Sequence, residues 1–88
     1  MKTNKEFMQI MSFSHSDKVI FITNKYQIIG TVYNCEECNQ ENFINLTDAS
    51  ICLMSDVYEN STCDSYTSSH HAWLHVNLDN VIAFSFKK

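Results

Sequence analysis

The sequence predicts a mostly-β domain: a short N-terminal helix followed by a small, strongly bent, five-stranded antiparallel barrel. Three observations carry this expectation. Runs rich in Ile, Val, Phe and Tyr recur at strand length and are separated by turn-forming Asn, Asp and Ser, with no internal repeat and no linker. Only the N-terminus carries apolar residues at helical spacing. The single glycine, Gly30, falls inside the run Y-Q-I-I-G-T-V-Y. There it forfeits side-chain packing, which marks a sharp bend or a close backbone approach.

The helix is expected over 4–12. Phe7, Ile10 and Met11 stand at i, i+3, i+4 with Met8 beside them, Asn4 is an acceptable N-cap, and Glu6 suits the first turn. Such a helix would lie on the barrel and cover apolar surface; an extended strand over 6–13 is the competing assignment. After a turn over 14–17, strand one is expected over 18–23, with Val19 and Phe21 on one face and Ile20 and Ile22 on the other. A two-residue turn at Asn24 and Lys25 leads to strand two, 26–33, with Tyr26, Ile28, Gly30 and Val32 opposite Ile29 and Tyr33. Both faces of both strands are apolar, as expected when one lines a core and the other is covered by a helix or a neighbouring chain.

A polar loop over 34–41 follows. Strand three begins near Asn42, and its alternation breaks between Leu46 and Ile51, so a bulge near Thr47 and Asp48 is expected to reset the phase. Residues 55–69 are rich in Ser, Thr, Asn and Asp and read as a long exposed loop. Strand four, 70–77, alternates Ala72, Leu74 and Val76 against His71, Trp73 and His75. A tight turn over 77–79 leads to strand five, 80–86, with Ile82, Phe84 and Phe86 on one face and Val81 and Ala83 on the other.

Eighty-eight residues make one domain, of a size that buries only about two-thirds of its unfolded surface. Assembly into an oligomer would be a natural source of further stability. At 44% apolar and 18% charged, the chain is neither disordered nor membrane-spanning. No apolar run reaches the roughly 18 residues of a spanning helix, and no signal-peptide core is visible. An intracellular, cytoplasmic protein without membrane contact is expected.

All six cations are lysines, and none falls between Tyr26 and Phe86, a segment that carries eight carboxylates. Non-specific nucleic-acid affinity comes mostly from cation contacts and counterion release. Tight, salt-sensitive, non-specific binding is therefore not expected.

The four cysteines, Cys35, Cys38, Cys52 and Cys63, do not resemble a secreted disulfide framework. Cys35 and Cys38 have zinc-ligand spacing, but a second pair is absent, which leaves them weak metal candidates. Cys63 with His70 or His71 is a further conceivable completion, and Cys52 reads as a half-buried strand residue. His71 and His75 are about 13 Å apart by strand rise, too far to share a metal, and read as bordering a subunit contact. No nucleophile elbow, phosphate-binding glycine loop or catalytic triad spacing occurs. No catalytic residue and no cofactor is expected.

The run V-I-F-I-T-N-K-Y-Q-I-I-G-T-V-Y resembles the first half of the first signature motif of Sm/LSm proteins, and N-F-I-N-L-T-D-A resembles its second half. V-N-L-D-N-V-I-A-F is similar to the second Sm motif, matching it at Asp79, Asn80 and Val81. In general character the chain also resembles divergent Sm-like proteins of marine phage type. The resemblance spans roughly 18–86 and the position of the helix. It implies a bent, open, SH3-like barrel in which strand four of one subunit joins strand five of the next. The result is a homo-oligomeric ring of about five to seven subunits, without free edges. His71, Trp73, His75, Ile82 and Phe84 would border that interface.

The resemblance further implies single-stranded RNA, or DNA, held at the ring's inner rim. Asn42 and Phe43 lie near the base-holding positions, displaced by one residue from Leu46-x-Asp48-Ala49. Asn77 stands where the family has arginine, Leu78 replaces glycine, and Asp79 and Asn80 are retained. Stacking on Phe43 with hydrogen bonds from Asn42 and Asn77 could hold a base, whereas guanidinium stacking cannot occur. Asn42, Asp79 and Asn80 are equally suited to capping turns. A non-catalytic, oligomeric protein-interaction or scaffold module is the alternative function.

Overall fold

The computed structural model describes residues 3–33, 41–53 and 69–87. Within them lies a mostly-β fold: an N-terminal helix and a five-stranded antiparallel sheet curled into a small barrel. Helix α1 (Asn4–Ser14) is followed by β1 (Lys18–Ile22), β2 (Tyr26–Tyr33), β3 (Phe43–Leu53), β4 (Ser69–Asn77), a 3₁₀ turn (Leu78–Asn80) and β5 (Ala83–Lys87). The spatial order is β4-β3-β2-β1-β5. The predicted loops over 34–41 and 55–69, apart from Glu41 and Ser69, lie outside the described residues.

The helix runs one residue pair longer than expected, and Thr3 rather than Asn4 caps it, its hydroxyl accepting from the Glu6 N–H at 3.2 Å. His15, in the left-handed region at φ 57°, ends it. Only Phe7 is fully buried; Met8 and Met11 pack partly against the core, while Ile10 is exposed. The Phe7 ring meets Phe21 at 5.2 Å, Phe84 at 5.4 Å and Phe86 at 5.6 Å between centroids. One aromatic side chain thus pins the helix across β1 and β5, whose register pairs Phe21 with Phe84 and Val19 with Phe86.

Gly30 sits where the sheet bends. Opposite it, Ile29 pairs with Ser50 and Thr31 with Thr47, so β3 carries an extra residue and Asp48 takes φ 50°. The expected bulge is therefore present, with Asp48 supplying the left-handed residue, a conformation that Asp tolerates better than most. It returns Ala49 to the buried face that Leu46 occupies.

Strand five begins later than predicted, at Ala83 rather than Asn80. The 3₁₀ turn intervenes and resets the phase: Leu78 is buried among the core residues and Val81 packs against them, while Ile82 is 66% exposed instead of sharing a face with Phe84. The Ile82 N–H donates to the Ile22 carbonyl at 2.8 Å, which leads the chain into pairing with β1.

Candidate nucleic-acid interface

At one end of the barrel, the start of β3 meets the end of β4. Phe43 pairs with Asn77 in register. The Leu78 N–H donates to the Asn42 carbonyl at 2.8 Å, and the Asn42 side-chain amide donates to Asn77 Oδ1 at 3.3 Å and Asp79 Oδ2 at 3.0 Å. Asn77 also caps the 3₁₀ turn, its Oδ1 accepting from the Asp79 N–H at 2.9 Å. Buried Leu78 anchors the turn from below. The helix is tied to the same corner, since the Asn4 N–H donates to the Glu41 carbonyl at 2.7 Å.

Four of the five predicted base-holding residues, Phe43, Asn77, Asp79 and Asn80, line one groove of about 570 Å³. Asn42 stands behind them and holds the turn. The groove also takes in Lys25 and Tyr26 from the β1–β2 turn, with Leu74, His75 and Ile82. Sequence reading missed Lys25 and Tyr26 because they lie far from the rest in the chain. The turn that presents them is clamped by Thr23, whose N–H donates to the Tyr26 carbonyl at 2.9 Å and whose hydroxyl accepts from the Tyr26 N–H at 3.1 Å. A planar apolar ligand with a polar edge fits this mixture of Phe43, Tyr26, asparagine amides and one ammonium.

The predicted interface residues separate into two groups. His71, Trp73 and His75 lie on the edge strand β4, with Trp73 42% exposed. Trp73 meets Tyr33 edge to face at 5.0 Å, and its indole N–H donates to His75 Nε2 at 2.9 Å. Phe84 corrects the expectation of an open β5 face: its ring turns inward onto Phe7 and Phe21 and belongs first to the protomer's own core. Ile82 precedes β5 and stands exposed beside the groove.

Cys35, Cys38 and Cys63 lie outside the described residues. Cys52 corrects the half-buried reading, being buried within β3 and disulfide-bonded. A disulfide is unusual in the reducing cytosol, so it lends no support to a cytoplasmic location. Among the described residues, no three His, Cys, Asp or Glu side chains gather as a metal-holding group, and no helix is long and apolar enough to cross a membrane. No family model and no curated protein matches the chain.

Proposed function

We propose that this chain is an Sm-like, ring-forming protein that holds single-stranded RNA, or DNA, at the mouth of its barrel. The observation that carries the reading is the convergence on one groove of Phe43 with Asn77, Asp79 and Asn80, distant in sequence, while the Asn42 amide braces the turn from behind through Asn77 and Asp79. A base would stack on Phe43 or Tyr26, with the Asn77 and Asn80 amides at its edge and Lys25 available to a phosphate. The sheet order is compatible with such assembly. β4 and β5 are its outer strands, and joining one protomer's β4 to the next protomer's β5 would leave no edge open.

A second reading, an oligomeric protein-interaction module, is favoured by one observation: the Asn42 amide is already engaged with Asn77 and Asp79. On that reading the asparagines fix loops, and the acidic surface meets basic partners.

Fluorescence anisotropy with labelled U-rich and A-rich oligonucleotides, combined with native mass spectrometry, tests both. The first reading expects a ring-sized mass and oligonucleotide binding with a shallow salt dependence, since few phosphates are neutralised. A ring that binds no oligonucleotide at low salt supports the second reading, and a monomer overturns both.

A further inference from the structure

Trp73 and His75 stand two residues apart on the same face of β4, above buried Asn45, which pairs in register with both Tyr33 and His75. An indole N–H can only donate. Its bond to His75 Nε2 at 2.9 Å therefore fixes that nitrogen as the acceptor and puts the ring's single proton on Nδ1. A proton arriving at Nε2 meets the indole N–H head on, and the bond must break. Trp73, which leans on Tyr33 at 5.0 Å, then loses the contact that sets its ring.

The location of this pair gives it consequence. β4 is an outer strand, and its only ionisable side chains are His70, His71 and His75. Neutral, the strand is free of charge and suited to pairing; protonated, it carries up to three positive charges, the device by which edge strands are kept from pairing. The opposite outer strand, β5, ends in Lys87, so the charges would repel. Among the described residues, the other ionisable groups nearby are Tyr33 on β2, Asp48 on β3, Lys25 and Tyr26 across the groove, and Asp79 in the 3₁₀ turn. Lys25 and Asp79 oppose each other in sign. His70 and His71 contact the Ser50 and Ser69 hydroxyls, each at 3.1 Å.

We propose that the β4 edge is a pH-gated assembly surface: it accepts the β5 edge of a second copy while His75 is neutral and holds Trp73, and releases it when His75 is protonated. The inference rests on the ring reading above and names its regulation.

The chain's single tryptophan reports the gate directly. Native mass and tryptophan emission are followed from about pH 8 to about pH 5.5, the interval in which histidine commonly titrates. The same is done for His75→Gln, whose side-chain oxygen still accepts from the indole but does not titrate. The wild type is expected to be assembled at the upper pH and to dissociate at the lower, its association weakened about tenfold or more. Emission should shift over the same interval, and His75→Gln should stay assembled with flat emission. Assembly and emission that stay unchanged in the wild type overturn the gate and leave the ring standing. Dissociation of His75→Gln in step with the wild type overturns His75 as the sensor. A monomer at the upper pH overturns the ring reading, and the gate with it.

Discussion

The backbone of Gly30 passes so close to Leu46 that a Cβ added at Gly30 would lie 3.1 Å from the Leu46 Cβ, and 3.2 Å from that of Ala49. Both neighbours sit on β3, on either side of the bulge, and both are fully buried. This approach is what lets the sheet fold over on itself. Because φ at Gly30 is not positive, the objection to a larger residue is steric rather than conformational.

Gly30→Ala is therefore a contest between two effects. Alanine reduces the freedom of the unfolded chain, worth about 0.4–1 kcal/mol, whereas forcing a methyl into a packed core costs about 1–3 kcal/mol. The Leu46 Cδ1, also at 3.2 Å, can turn away, but the Leu46 and Ala49 Cβ atoms are tied to backbone and cannot swing aside, so the steric term should win. Urea unfolding is expected to show a net loss of about 1 kcal/mol for Gly30→Ala and a larger loss for Gly30→Val. An unchanged or raised midpoint in Gly30→Ala would show that the bend has slack.

Phe7 is the one fully buried residue of the helix and joins it to the sheet through ring contacts to Phe21, Phe84 and Phe86, with Met8 and Met11 packing partly beside it. Truncating a buried phenylalanine costs about 3–5 kcal/mol, a large part of the roughly 5–15 kcal/mol that holds a typical domain. Phe7→Ala should lower the thermal midpoint steeply. Thr3→Ala, which removes only the cap, should cost about 1 kcal/mol. Similar losses in the two variants would mean that α1 is held by something other than Phe7.

The fold was largely legible because its signals are local. The apolar runs of β1 and β2, helical spacing at Phe7 and Met11, the lone Gly30 and the broken alternation before Ile51 each report on a few neighbouring residues. What escaped was set by tertiary contact. Leu78 stands where the Sm resemblance has glycine, and it is buried within a 3₁₀ segment that shifts the phase of β5. Ile10 had helical spacing but faces outward, because the packing against β1 and β5 is satisfied by Phe7, Met8 and Met11. At the site, Asn42, Phe43, Asn77, Asp79 and Asn80 could be named from their motif positions. Lys25 and Tyr26 could not, since only the curl of the sheet brings the β1–β2 turn to them.

Phe43 and Lys25 should separate stacking from charge in oligonucleotide binding. Removing a stacking aromatic costs about 1–3 kcal/mol per base, so Phe43→Ala should weaken binding about tenfold or more with the salt slope unchanged. Lys25→Ala should weaken binding less and reduce the slope by about one. Equal, salt-independent effects of both would argue that the groove is not where the strand lies.

Asn42 decides between the two functional readings, because the same amide either braces the turn or does so and also shapes the face that a base meets. Asn42→Ala removes hydrogen bonds to Asn77 and Asp79 at a part-exposed corner, a loss of about 1 kcal/mol in stability. Asn77 Oδ1 keeps its bond from the Asp79 N–H, so the 3₁₀ cap itself should survive. If the cluster only fixes the loop, the folded variant should assemble as the wild type does, its unfolding midpoint alone lowered. If the cluster presents the groove to a base, the folded variant should also bind oligonucleotide several-fold more weakly, under conditions where circular dichroism shows it fully folded. Measuring midpoint and affinity on the same sample separates these outcomes, since the first reports the turn's own stability and the second what the turn displays.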